Sequence, residues 1–187
     1  LIQNIKYEVM KFVEQGNRCY KGGDCVEGQL LANYLQVNPY MDKGQALFWI
    51  AELIKQLEQY QRCKGEEAYQ YVNPYMLVID DEKQIRLIDV QATSNSSLLE
   101  LANTKVIREH FLPEHIYDYT ASDIYTDIYG IGKNIQYLFS MTLLNPTLTK
   151  WEEFLFQKII RNCLNTTSKQ NYKTPQDIFK HFPKEKK

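Results

Sequence analysis

Ile2, Ile5, Val9, Phe12 and Val13 recur at spacings of three and four, which predicts one apolar stripe of an opening amphipathic helix. Gly16-Asn17 ends that pattern. The segment Arg18 to Val26, with the turn-prone pair Gly22-Gly23, reads as a short hairpin or an extended connector. A short helix is predicted from Glu27 to Gln36, stopped by Asn38-Pro39 because the residue before a proline is pushed out of the α region. The strongest helical pattern follows. It begins at Asp42, a suitable N-cap, and runs to about Arg62, with Ala46, Leu47, Trp49, Ile50, Leu53, Ile54 and Leu57 on a broad apolar face.

Beyond Lys64-Gly65 the pattern shortens to two apolar runs, Met76 to Ile79 and Ile85 to Val90, on either side of the charged turn Asp80 to Lys83, and these predict a β-hairpin. The charges of Asp80 and Asp81 are expected to be solvated in that turn. Polar residues Gln91 to Asn95 predict a loop, Leu98 to His110 a short helix, and Leu112-Pro113-Glu114 a break. Further helices are predicted at Asp123 to Met141, where Ile124, Ile128, Ile131, Ile135 and Leu138 keep the helical period, at Lys150 to Leu164, and at Thr174 to Phe182. The Lys-Glu-Lys-Lys ending reads as a solvated tail. The pattern as a whole predicts a mainly α fold with one small β-hairpin.

A chain of 187 residues, 44% hydrophobic and 24% charged, fits one domain or two small lobes and is no disordered or coiled-coil sequence. Its formal charge of -1 supplies no global positive field for nucleic acid. No apolar run approaches the ~20 residues of a membrane span. The start at Leu1, without Met or a signal-like leader, reads as a trimmed chain. The 14 tyrosines suit half-buried contact surfaces. Cys19, Cys25, Cys63 and Cys163 show neither a CxxC pair nor metal-ligand spacing and are expected to be reduced thiols.

In order along the chain, the hairpin carrying Ile85 to Val90, then Leu112-Pro113-Glu114, then Ser122-Asp123-Ile124 and Thr126 to Gly132 resemble the C-terminal helical lobe of protein kinases. Val26-Glu27-Gly28-Gln29-Leu30 looks like the hinge that enters that lobe, so the resemblance covers Val26 to Phe182. It implies two parts: residues 1–25 as an amphipathic helix and connector, and residues 26–187 as a lobe-like domain whose partner lobe is absent or vestigial.

The resemblance also implies that the chemistry is lost. Where kinases carry H-R-D-x-x-x-x-N, this chain has Tyr69 to Met76. Tyr71 stands in place of the proton-accepting Asp, Asn73 in place of a phosphate-contacting Lys, and Met76 in place of the metal-binding Asn, while Pro74 is kept. A phenol is protonated near neutral pH, and a thioether is a poor magnesium ligand. Asp89 matches the Asp of D-F-G, but Val90 and Gln91 follow it. It reads as a residual metal ligand or as a local cap at a strand end. No GxGxxG precedes the hinge-like segment, and phosphoryl transfer without a phosphate cradle loses its main source of rate.

What the resemblance retains is structural. Asp127 resembles a kinase Asp that holds the catalytic-loop backbone, and Pro113-Glu114 resembles part of A-P-E, whose Arg partner is replaced by Tyr172. Gly130 and Gly132 are expected to allow close helix packing. Ser94 to Ser97 read as a flexible activation-segment loop. The function implied is a catalytically inactive, kinase-like scaffold in the cytoplasm that needs no cofactor and binds another protein or another part of its parent chain. Its interface is expected to include Ile5, Val9, Phe12 and Tyr75, together with Tyr69, Tyr71 and Met76. The alternative is a nucleotide-binding protein or weak phosphotransferase using Asp89.

Overall fold

A computed structural model describes residues 5–65, 67–114, 116, 123–165 and 172–184. Ile2, Ser122 and residues 185–187 of the expected tail lie outside them. The opening segment is a β-ribbon. Strand β1 (Ile5–Gln15) pairs antiparallel along its full length with β2 (Arg18–Leu30), from Ile5 opposite Gly28 to Gln15 opposite Arg18. Gly16, at a φ of 59°, takes the first central position of the two-residue turn, where a positive φ favours glycine. Gly22 and Gly23 lie mid-strand, opposite Lys11 and Met10.

The end of β2, Gly28 to Leu30, pairs with β4 (Leu77–Asp80), and β4 pairs with β5 (Ile85–Leu87). The four-stranded antiparallel order is therefore β1-β2-β4-β5. A bridge from Val9 to Ile88 draws the two edges together, so the sheet curls into a half-barrel. Inside the curl lie Tyr7, Val9, Leu30, Met76, Val78 and Ile88. Met10, on the other face of β1, joins the larger helical core.

Between sheet strands run α1 (Leu31–Val37), β3 (Tyr40–Asp42) and α2 (Lys43–Cys63); after them come α3 (Ser96–Ala102), α4 (Lys105–Phe111), α5 (Ile124–Met141), β6 (Leu143–Asn145) and α6 (Lys150–Leu164). Asp42 caps α2 by accepting from the Gln45 N–H at 3.0 Å. Asp123 with Thr126, and Thr149 with Glu152, form capping boxes at α5 and α6. Trp49, Ile54, Leu57, Ile131, Phe156 and Ile159 fill the core that α2, α5 and α6 share. Strands β3 and β6 form a separate parallel pair, and Pro175–Lys180 is a 3-10 turn.

This architecture corrects the kinase reading and the mainly α fold class. A curled four-stranded sheet opens the chain and helices pack after it, whereas the kinase C-terminal lobe is helical. Residues 5–25 are ribbon, not amphipathic helix. Ile5, Val9 and Phe12 satisfy a helical spacing, but Ile5, Tyr7 and Val9 also alternate, and pairing with β2 decides between the two periods. The predicted helix from Glu27 begins only at Leu31, since Glu27 to Leu30 still belong to the ribbon.

Asp80 is not solvated: its Oδ1 accepts from Glu82 N and Gln84 N at 2.9 Å and so caps the hairpin turn. The Ser94 region is a 3-10 turn leading into α3 instead of a loose loop. Cys19 and Cys63 form a disulfide with a Cα–Cα distance of 5.5 Å, which leaves only Cys25 and Cys163 as free thiols and removes the unpaired-thiol argument for a cytoplasmic setting.

Candidate functional site

The loop between α2 and β4 is held from beneath by one carboxylate. Asp127, in the first turn of α5 and wholly buried, accepts from the backbone N–H groups of Tyr69 at 2.7 Å and Gln70 at 2.8 Å. Its Oδ2 also accepts from Gln61 Nε2 at 3.2 Å. Burial pushes the Asp127 carboxyl up to about 6, against the pull of those three bonds. Gln70 sits at a φ of 79°, an unfavourable left-handed conformation for a residue with a side chain. The Asp127 bond to its N–H helps to keep it there. Asn134 adds a second tie, donating from Nδ2 to Val72 O at 2.9 Å.

The aromatics of this loop look inward. Tyr69 is buried, donates its hydroxyl to Ile88 O at 2.6 Å, and meets Tyr60 edge-on at 5.4 Å. Burial raises the Tyr69 phenol well above its ordinary range and the Tyr60 phenol to about 12, so neither is poised to move a proton. Tyr71 is half-buried against both cores. Asn73 is buried, with its Oδ1 accepting from Tyr75 N at 2.9 Å, while Pro74 O accepts from Ala32 N at 3.0 Å and Met76 is fully enclosed. These residues shape a loop and line a core, and they do not open onto a cleft.

The expected interface residues separate. Val9 is inside the curl, Phe12 meets the Tyr60 ring edge-on at 5.7 Å, Tyr75 is half-buried, and Ile5 is exposed. Pro113 is buried and Glu114 is exposed to solvent. Tyr172 pairs its hydroxyl with His181 Nδ1 at 2.7 Å. Gly130 and Gly132 take their places by necessity: a Cβ would lie 2.7 Å from Val72 Cβ at the first and 2.6 Å from Cys163 Cβ at the second.

Asp89 sits on the rim of the half-barrel. Its Oδ1 accepts from Gln91 N at 3.0 Å and lies 3.4 Å from Lys21 Nζ, which itself donates to Gln91 Oε1 at 2.9 Å. A lysine ammonium therefore stands where a cation would approach. Nearby, Ser94 Oγ donates to Glu8 Oε2, and Asn95 Nδ2 donates to Glu8 O and Asp89 O. Among the described residues, Glu14, Cys19 and Cys63 are the one group of three whose ligand atoms lie close enough for a metal, and its two sulfurs are bonded to each other.

Two surface features escaped the sequence reading. Trp151 and Phe154 stack at 5.4 Å and 19° on the outer side of α6, 63% and 53% exposed, while Phe156, Ile159, Ile160 and Cys163 fill its inner side. Their signal was present: both stand off the buried stripe of that helix. Tyr40 and Leu143, directly opposite in the β3–β6 pair, are 80% and 62% exposed. No helix among the described residues is long and apolar enough to cross a membrane. No protein-family model matches the chain, and no curated protein matches it as a relative.

Proposed function

We propose that the domain is a non-catalytic binding module that grips another protein, with the stacked Trp151–Phe154 pair at the centre of the gripping face. The stacked pair carries this reading. Single exposed apolar residues are ordinary, but two large adjacent aromatics held against each other in water mark a surface whose energy improves when it is covered. Aromatics are the usual anchors of protein interfaces, and Lys150 and Glu153 beside this pair supply a polar rim.

The absence of turnover is part of the proposal. The groups with displaced proton affinity named above are buried structural ties, and Asp89 is paired with Lys21. The test begins with partners captured by the wild-type chain, each then purified and titrated calorimetrically against wild type and the double variant W151A/F154A. The expected result is an increase in Kd of at least about tenfold with an unchanged melting curve. Equal affinity for both forms sinks the aromatic face. ATP with magnesium is expected to leave the melting temperature where it was, and a clear rise would overturn the non-catalytic reading.

A further inference from the structure

The last turn of α2 ties the fold together residue by residue. Tyr60 meets the rings of Phe12 and Tyr69, and Gln61 donates to the buried Asp127. Arg62 clamps Glu14 with two bonds, Nε to Oε1 at 2.7 Å and Nη2 to Oε2 at 3.0 Å, and Cys63 is bonded to Cys19. Three of these four residues reach the β1–β2 ribbon, and they reach it near its tip.

Apart from Lys21, which reaches Gln91 and Asp89 at the base of the tip, little else among the described residues holds it. β2 pairs with β4 only at Gly28 to Leu30, so the outer ribbon is a two-stranded hairpin, a structure that is marginal alone in water. From Val13 to Tyr20 every residue but Cys19 is exposed. The Arg62–Glu14 pair is bidentate but open to solvent, where water and salt compete for both groups. Both cysteines are only half-buried, so a small thiol can approach the bond between them.

We infer that Cys19–Cys63 is an exchangeable clasp, broken by a low-molecular-weight monothiol to release the ribbon tip while the rest of the fold persists. The exchange balances in two steps. A monothiol as its thiolate attacks one sulfur, forming a mixed disulfide and expelling the other cysteine as a thiolate, which takes up a proton. A second monothiol then attacks the mixed disulfide, leaving two protein thiols and one small-molecule disulfide, with two electrons passed from the monothiols to the protein.

The test is hydrogen exchange read by mass spectrometry on the full chain carrying Cys25→Ser, which prevents reshuffling through that exposed thiol. Spectra are compared before and after millimolar reduced glutathione, with alkylation confirming that two thiols have appeared. The expected result is exchange at least about tenfold faster across residues 13–21, with β4 and α5 still protected. Glutathione disulfide should restore the slow pattern. A C19S/C63S variant should show the fast pattern under either condition. Three results would overturn the inference: a bond that resists the monothiol while the chain is folded, a tip whose exchange does not change, or loss of protection throughout the domain, which would make the bond a structural staple.

Discussion

Burying a carboxylate without a counter-ion is expensive, and Asp127 is fully buried with, among the described residues, neutral hydrogen-bond donors at its oxygens. The bonds lower its proton affinity, but desolvation wins, and the carboxyl rises from the ordinary 3.8 to about 6. The sign of the linkage follows. A group whose folded value exceeds its unfolded value contributes stability that is complete below the unfolded value and lost as pH rises through the folded one. Asp127 should therefore cost on the order of 3 kcal/mol between about pH 4 and about pH 6.5.

Chemical denaturation of wild type and Asp127→Ala across that range isolates the effect, because other titrating groups cancel in the difference. The wild-type curve should fall relative to the variant's with rising pH, and parallel curves would show that Asp127 titrates normally. At neutral pH the variant should still be less stable by roughly 2–4 kcal/mol, because a methyl group leaves the Tyr69 and Gln70 N–H groups without their acceptor.

Between elements, two glycines of α5 sit where a side chain would collide with a neighbour. Gly130 lets α5 lie against Val72 of the loop that Asp127 holds, and Gly132 lets it lie against α6. Alanine at position 130 gains about 1 kcal/mol in helix propensity but forces a contact that typically costs 1–3 kcal/mol, roughly, in a packed core. Backbone as well as side chain stands in its way, since Val72 O is 3.0 Å from the added carbon, so Gly130→Ala should lower the urea midpoint. Gly23→Ala, where nothing lies within 4 Å, should leave the midpoint unchanged or raise it slightly.

What the sequence made readable follows the same division between local and distant. Helices α2, α5 and α6 and the β4–β5 hairpin follow from apolar periods and turn residues within each segment. The apolar residues of β1 fit two periods, and the pairing with β2 that decides between them is not written in either strand's own pattern. Asp127 reaches loop residues 57 and 58 positions away, a tie expected only through the resemblance and not from the local pattern, and Cys19 bonds a cysteine 44 positions on, which was not expected. Neither tie leaves a local signature, and cysteine spacing alone does not fix connectivity.

At the scale of the molecule, the disulfide closes a loop containing α1, β3 and nearly all of α2, and so limits how far the unfolded chain can spread. A loop of that length is worth on the order of 2–4 kcal/mol through the entropy it removes from the unfolded state. The effect is separate from order in the ribbon tip, since it acts on the denatured ensemble even where the native structure hardly changes. Reduction should therefore lower the urea midpoint and steepen the transition, because an unlinked chain exposes more surface when it unfolds. Paired urea titrations of the Cys25→Ser chain, oxidised and reduced, measure both quantities, with circular dichroism in the absence of urea confirming that the starting states share their secondary structure. A midpoint and slope that ignore reductant would mean that Cys19 and Cys63 are not joined in solution, and the ties left near the ribbon's tip among the described residues would then be Arg62 on Glu14, the Phe12–Tyr60 contact and Lys21 on Gln91 and Asp89.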